Sequence, residues 1–341
     1  MNRYSNLVTP LSDLAVIEIS GEDAPAFLHG QLTQDIANLP ADHARLAGYC
    51  TAKGRLLATM VVWLGPQADG PVIYALVKAD IADSFIKRLS MFVLRAKVKL
   101  RVADVNVWGI MTDATSALRP AGGPADLDAN QAQSAGWPAR LLREAAVLSA
   151  QPQAWQVART ATGTWIAAPS ADAGRARWWL VSKDAQGAGQ PPAADALAVW
   201  QAADITAGLP WVQAATQDVF IPQTLNLDLI DGVSFSKGCY PGQEVVARSH
   251  YRGTVKRRMA AGAILAPRHV GNNGGLAGLD VFDAKKPAAP CGRIINAATD
   301  LVVRVLMEVQ LADLRDADFR LGGADGPKIE CQPLPYAITT G

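Results

Sequence analysis

The chain has 341 residues, half of them hydrophobic, and a formal net charge of +1 at pH 7. This length predicts one large domain or two to three smaller ones with ample material for a packed core. The balanced charge gives no overall attraction to nucleic acid or membrane, so any basic site must be local. No apolar run reaches the roughly 18 residues of a membrane-spanning helix, and residues 1–21 lack the apolar region of a signal peptide. We therefore expect a cytoplasmic protein without membrane association.

The cysteines are few and scattered: Cys50, Cys239, Cys291 and Cys331 include no C-x-x-C pair. Structural zinc sites usually take two ligands from one tight turn, so this spacing argues against zinc. A chain this long and this poor in cysteine also argues against a disulfide framework. We expect reduced thiols and no metal site.

The N-terminal part alternates strand and helix patterns. The predicted elements are, in chain order, a strand at 14–21, a helix at 22–36, a hairpin at 44–65, a strand at 71–79, a helix at 80–94 and two strands within 96–112. Pro25 suits the first helical turn, and Gly54 suits the turn of the hairpin. This β-α-β-β-α-β order is typical of an α+β fold rather than of a Rossmann fold.

The C-terminal part has a different character. Residues 119–136 are rich in Pro, Gly and Asp and read as a loop, and a helix from about Ala193 to Ala207 is stopped by Gly208. After Arg258 the sequence consists of short strand patterns punctuated by glycine and proline, which predict a small β-barrel. We expect two regions, residues 1–250 and residues 251–341.

Residues 235–258 place a thiol, a tight turn and a basic run side by side. Gly238 and Gly242 permit backbone conformations that other residues resist, and Pro241 fixes φ between them. The pattern therefore predicts a tight loop that carries Cys239.

Cys239 lies just before a predicted helix that begins at Gln243. The unpaired N–H groups of a helix N-terminus favour an anion or a thiolate, and Lys237 adds positive charge nearby. This interpretation makes Cys239 a reactive thiol. The alternative is a small, inert residue that fills a glycine-rich corner.

The basic run comprises Arg248, Arg252, Lys256, Arg257 and Arg258. Guanidinium groups suit carboxylates and phosphates, so the run is a candidate for recognition of an anionic group. The alternative is an ordinary solvated face. Motifs for nucleotide phosphates, dinucleotides and serine hydrolases are absent from the sequence.

The sequence "KGCYPGQE" (Lys237–Glu244), followed by "VARSHYRGTVKR", resembles the signature of the YgfZ family, folate-binding bacterial relatives of the glycine-cleavage T-protein. The segments "CTAKGRLLA", "ITAGLP", "FIPQTLNLD" (Phe220–Asp228) and "PLPY" (Pro333–Tyr336) are also similar to family segments. The resemblance therefore spans nearly the whole chain.

This resemblance implies a fold, a ligand and partners. The fold would be a T-protein-like folate-binding region, with a ferredoxin-like unit and interleaved α/β segments, plus a C-terminal β-barrel. The ligand would be tetrahydrofolate or a one-carbon derivative. The partners would be iron–sulfur proteins, including enzymes that modify tRNA, with a weak contact to tRNA itself.

The resemblance also carries roles for individual residues. It implies that Cys239 is the motif thiol, with Lys237 beside it as a second catalytic candidate. The folate contacts that it implies are Trp200, Leu14, Tyr240, Gln243, Glu244, Arg248 and Arg252. At Leu14 the family has a tryptophan, and leucine offers no aromatic stacking or N–H donor to a pterin. The alternative for Trp200 is an ordinary core aromatic of its helix.

Two other functions compete with folate-dependent support of iron–sulfur enzymes. One is a T-protein-like aminomethyltransferase, but Lys78 stands where the T-proteins have asparagine, and neither Asp80 nor Asp83 clearly takes the place of their aspartate. The other is a tRNA-binding module that uses the basic run, against which the near-zero net charge argues.

Overall fold

The structure is a computed structural model that describes residues 6–66, 70–113, 137–148, 152–184, 195–251, 255–265 and 275–338. The strands in these residues are β1 (Leu7–Pro10), β2 (Leu14–Ser20), β3 (Arg45–Cys50), β4 (Leu56–Leu64), β5 (Val72–Lys78), β6 (Lys99–Val102), β7 (Asn106–Asp113), β8 (Val157–Arg159), β9 (Thr164–Ala167), β10 (Arg175–Ser182), β11 (Arg257–Ile264), β12 (Asp280–Asp283), β13 (Lys286–Thr299), β14 (Val303–Gln310), β15 (Phe319–Leu321) and β16 (Glu330–Gln332). The α-helices are α1 (Ala24–His29), α2 (Ala82–Ser90), α3 (Trp137–Leu148), α4 (Ala196–Thr206) and α5 (Gln243–Tyr251). None of these helices is both long and apolar enough to cross a membrane.

The first sheet has the order β3-β4-β5-β2-β6, and all neighbouring strands are antiparallel. Without β3, this is the strand order of a ferredoxin-like unit, with α1 after β2 and α2 after β5. Ile17 and Ile19 of β2 pack with Phe85 and Leu89 of α2 in one core. The predicted α+β class is confirmed, and β3 adds an edge strand that the simple β-α-β-β-α-β order lacks.

Helix α1 is shorter than the predicted helix over residues 22–36. Pro25 lies in its first turn as expected, but the helix ends at His29. Beyond it, the Thr33 hydroxyl accepts a hydrogen bond from the Gly48 amide at 2.7 Å and donates one to the Gly232 carbonyl, also at 2.7 Å. Residues after His29 are therefore held against β3 instead of continuing the helix.

The second sheet has the order β1-β7-β10-β9-β8. Helix α3 packs on β7 and β1, and a core rich in tryptophan, including Trp108, Trp137 and Trp178, lies there. The sequence predicts strands at β6 and β7, and both are confirmed. They belong to different sheets, which the sequence pattern does not indicate.

The third sheet has the order β15-β12-β13-β14-β11-β16 and curls until its ends meet. The Ile329 amide donates to the Phe319 carbonyl at 2.8 Å, and the Leu321 amide donates to the Pro327 carbonyl at 3.0 Å. The predicted C-terminal barrel is thus confirmed. All six strands follow residue 251, although the boundary near residue 250 remains a prediction.

Helix α4 joins the sheets, because it packs on β1, β13 and β14. Its predicted stop is confirmed, since Gly208 follows it with a φ of +66°. The Tyr336 hydroxyl donates to the Gly208 carbonyl at 3.1 Å. The segments "ITAGLP" and "PLPY" therefore meet at the end of this helix.

Candidate functional site

The loop that carries Cys239 is anchored by Lys237. The Lys237 Nζ donates to the carbonyls of His29, at 2.5 Å, and Leu32, at 3.0 Å, at the end of α1. Burial lowers the pKa of Lys237 to about 8. A cation is favourable at a helix C-terminus, so Lys237 holds the loop against α1. Its ammonium also lies 4.7 Å from the centroid of the Tyr240 ring.

The thiol of Cys239 is exposed, whereas the following Tyr240 is buried, and this burial raises the tyrosine pKa. The Gln243 amide donates to the Tyr240 carbonyl at 3.2 Å as α5 begins. The predicted loop followed by a helix is confirmed. An exposed side chain does not fill a corner, so the inert-filler interpretation of Cys239 does not fit.

The loop packs backbone to backbone on the β3–β4 turn. Gly242 has a φ of +80°, and a Cβ at this position would lie 2.4 Å from the Thr51 carbonyl oxygen and 2.6 Å from the Cα of Gly54. A Cβ on Gly54 would lie 2.9 Å from the Cβ of Val245. Only glycine fits at either position. The motifs "CTAKGRLLA" and "KGCYPGQE" are therefore one structural unit.

The predicted folate contacts on α5 lie at its surface. Glu244 and Arg248 form an ion pair of 2.8 Å one helical turn apart, with side chains that are 85% and 70% exposed. Gln243 is half-buried at the first position of the helix. Arg252 lies outside the described residues. Contact of these side chains with folate stays a prediction.

The basic run is not a continuous exposed strip. Arg258 is buried and donates to both carboxylate oxygens of Asp228, at 2.6 and 3.0 Å. Arg257 pairs with Glu308 at 2.6 Å on the neighbouring strand. The expectation of an anion-binding surface is wrong for these two arginines, because β11 begins at Arg257 and their guanidinium groups already have carboxylate partners.

A cleft opens where β5, α4 and β13 meet. It is lined by Lys78, Gln201, Asp204, Ile205, Leu209, Trp211, Gln213, Asn296 and Ala297. The space inside it that a water-sized molecule can reach is about 80 Å³. The lining thus combines an indole ring with a cation, a carboxylate and several amides.

Polar contacts order one wall of the cleft. The Lys78 Nζ lies 2.5 Å from an oxygen of Asp13, and the Gln201 amide donates to the same oxygen at 2.8 Å. Leu14 pairs with Lys78 in the β2–β5 register. It is buried in the core, beside the cleft but not on its surface.

A buried ion pair contributes Asp204 to the lining of the cleft. Arg177 donates to Asp204 at 2.5 Å, and the Trp211 indole N–H donates to the other carboxylate oxygen at 3.0 Å. Burial still raises the pKa of Asp204. The Arg177 guanidinium lies 4.3 Å from the centroid of the Trp200 ring. Trp200 is 1% exposed and does not line the cleft, so it packs against Arg177 as a core aromatic.

Trp211 and Asn296 were not among the residues predicted from the sequence. The Asn296 side chain accepts from the Trp211 amide and donates to the Trp211 carbonyl, both at 2.8 Å. A β-bulge between Ile294 and Asn296 accompanies this contact. Trp211 directly follows the segment "ITAGLP", which resembles a family segment, so this position could have been singled out as a site residue from the sequence. No sequence pattern points to Asn296, because its hydrogen-bond partner Trp211 is distant in sequence.

The predicted site residues therefore fall into two groups. Lys237, Cys239 and Tyr240 lie on the loop against α1, whereas Leu14 and Trp200 lie beside the cleft. No hydrogen bond, ion pair or ring contact between described residues joins the two groups. The described residues also contain no cluster of three or more His, Cys, Asp or Glu side chains that could hold a metal ion.

Several known proteins are similar to this chain, although no protein-family profile matches it. It is 30% identical over 345 residues to the tRNA-modifying protein YgfZ of Serratia proteamaculans (strain 568), over 96% of this chain and 92% of that protein. It is 32% identical over 256 residues to the tRNA-modifying protein YgfZ of Edwardsiella ictaluri (strain 93-146), over 73% of this chain and 68% of that protein.

Among solved structures, the glycine cleavage system aminomethyltransferase T from Bartonella henselae superimposes with a TM-score of 0.62 at 14% identity. The match covers 98% of this chain and 87% of that structure. This likeness shows a T-protein-like fold, as the sequence predicted. Together with the full-length similarity in sequence, it means that the chain belongs to the YgfZ family.

Proposed function

We propose that this protein binds a tetrahydrofolate derivative in the cleft between β5, α4 and β13. With Cys239, the bound folate supports iron–sulfur proteins, including enzymes that modify tRNA. The observation that carries the proposal is the cleft itself, between the first and third sheets of a T-protein-like fold. Ligand pockets commonly lie at such junctions.

The lining suits a reduced pterin. Gln201 carries an amide group in the lining that can donate and accept hydrogen bonds, while the buried Trp211 and Asn296, which are bonded to each other, form a fixed wall behind it. Lys78 is buried and already paired with Asp13 at 2.5 Å, so it holds the wall of the cleft in place and is not a free cation for a folate carboxylate. In this proposal Trp200 acts through Arg177 and Gln201 rather than by stacking on the pterin.

Cys239 supplies the second part of the proposed function. Its thiol is exposed on a loop that Lys237 and the Gly54–Gly242 contact hold in place. A fixed, accessible thiol can react with a small molecule or with a protein that docks on this face. The partners that we propose are iron–sulfur proteins.

Calorimetric titration with tetrahydrofolate, under reducing and anaerobic conditions, tests the proposed ligand. Gln201→Ala removes an amide from the cleft, and we expect the dissociation constant to rise about 5–10-fold, which corresponds to about 1 kcal/mol. Thr206→Ala is the control, because Thr206 is on the same helix but lines a different cleft. Absence of binding by the unchanged protein, or equal dissociation constants for the two variants, would refute the folate cleft.

A further inference from the structure

Apolar side chains are exposed where α2 ends. Met91, Phe92 and Leu94 are 61%, 43% and 88% exposed. Single exposed apolar residues are ordinary on a protein surface, but three within four positions form a patch, and apolar patches mark interaction sites. Leu94 also has a φ of +43°, a left-handed conformation that leucine rarely adopts. The turn therefore holds an apolar side chain in solvent at a cost in backbone energy.

A groove runs along α2 beside these side chains. Its α2 wall consists of Ser84, Lys87, Arg88 and Met91, and Leu57 of β4 also lines it. Residues three and four apart share one face of a helix, so the groove follows the helix axis for about 10 Å, or about two turns. The space inside it that a water-sized molecule can reach is about 260 Å³. The Nε atom of Arg88 is buried and has no hydrogen-bond partner among the described residues.

The segment from α2 to β6 is strongly basic. Residues 86–101 contain six lysines and arginines and no aspartate or glutamate. Lys97 and Arg101 pair with glutamates. In the part of the chain that the structure describes, no carboxylate forms an ion pair with the other four cations, which are Lys87, Arg88, Arg95 and Lys99. The acidic residue of α2, Asp83, lies in its first turn, at the other end of the helix from Met91. The apolar patch and the groove therefore have positively charged surroundings.

We propose that the α2 surface, formed by Lys87, Arg88, Met91, Phe92 and Leu94, binds an acidic amphipathic helix of a partner protein. The apolar face of such a helix fills the groove and contacts the exposed patch, and its carboxylates pair with the cations. A nucleic acid would use the cations and Phe92 but would gain little from Met91 and Leu94. A membrane would take up the apolar patch but leave the groove and its buried donor empty. The surface goes beyond the proposed function, because it contains no residue of the cleft or of the cysteine loop.

Fluorescence anisotropy of a labelled peptide, titrated with the full-length protein, tests this proposal. The probe is a synthetic amphipathic helix of about 14 residues, or about four turns, with leucine on one face and glutamate on the other. Leu94→Asp removes an apolar contact and repels the glutamates, so we expect the dissociation constant to rise about tenfold. Arg88→Gln should raise it about fivefold at low salt and less at high salt, where exposed charges are screened. Leu301→Asp is the matched control and should leave it unchanged, because Leu301 is 62% exposed but lies between β13 and β14.

Urea unfolding checks that Leu94→Asp folds. Aspartate tolerates a positive φ better than leucine, so the midpoint should not fall; if it does, Arg88→Gln decides, and unchanged binding by that variant overturns the inference. Absence of peptide binding, equal dissociation constants for Leu94→Asp and Leu301→Asp, or equal affinity for a peptide with lysine in place of glutamate would also overturn it. Purified tRNA and phosphatidylglycerol vesicles are titrated in the same way. If Leu94→Asp weakens the binding of either while the acidic peptide does not bind, the surface serves a nucleic acid or a membrane and the proposal is wrong.

Discussion

Gly54 and Gly242 are in van der Waals contact through their backbones, although 187 residues of sequence lie between them. A Cβ on Gly242 would lie only 2.6 Å from both the Cα and the nitrogen of Gly54. This contact fixes the cysteine loop on the β3–β4 turn. The position of the Cys239 thiol therefore depends on a hairpin in the ferredoxin-like sheet.

Alanine at position 242 should disrupt this contact. Gly242→Ala places a Cβ 2.4 Å from the Thr51 oxygen at a positive φ, and we expect the free energy of unfolding to fall by about 2–4 kcal/mol. Gly322→Ala is the control, because Gly322 has a φ of +73° but no atom within 4 Å of its Cβ position. It should lose only about 1–2 kcal/mol. Equal losses in urea unfolding would show that the backbone contact contributes nothing.

Asn296 should be important for the junction between the barrel and the rest of the fold. Asn296→Ala removes both hydrogen bonds to the Trp211 backbone and leaves buried groups unpaired. We expect a loss of about 2–4 kcal/mol in the free energy of unfolding. In the control, Asn106→Ala, the amide makes only a 3.5 Å contact with the Asp184 carbonyl, and the loss should stay below about 1 kcal/mol. Comparable urea midpoints for the two variants would contradict the prediction.

Lys237 should make the free energy of unfolding depend on pH in the alkaline range. Burial lowers its pKa from 10.5 to about 8. Between these two values the unfolded chain holds the proton and the folded chain does not, so the free energy of unfolding rises with pH. The difference between the unchanged protein and Lys237→Met should therefore increase from pH 8 to 10.5. Lys87→Met, at an exposed position of α2, controls for the loss of a lysine. A constant difference for Lys237→Met would exclude this linkage.

Cys239→Ser should separate folding from function. The side chain is exposed, so the free energy of unfolding should change by less than about 0.5 kcal/mol. In a bacterium that lacks its own member of the family, this variant should fail to restore tRNA modification by an iron–sulfur enzyme, measured as modified nucleoside. Cys291→Ser should restore it, because Cys291 lies in β13 of the barrel. Full restoration by Cys239→Ser would show that the thiol is dispensable.

Local signals in the sequence were sufficient for most elements. The hairpin around Gly54 and the end of α4 before Gly208 follow from glycines at positive φ, with values of +73° and +66°. The helix α2 follows from the spacing of Phe85 and Leu89, which are both buried. Such features depend on residues that are neighbours in sequence.

Contacts between distant residues were not predictable in the same way. The basic run around Arg258 has the composition of an exposed strip, but Asp228 binds that arginine in the interior. The pairing of Asn296 with Trp211 depends on a bulge in β13. The two-group arrangement of the site also depends on tertiary structure, because Lys237 turns toward α1 rather than toward the cleft.

The way in which the third sheet closes has a consequence for self-association. Residues 327–329 bond to β15, and the next three residues form β16 on β11. One short segment thereby pairs with β15 at one end of the sheet and with β11 at the other, so it occupies backbone donors and acceptors on both strands. Loss of residues 327–332 would uncover backbone groups of β15 and β11 at once and turn these strands into a template for strand addition between molecules.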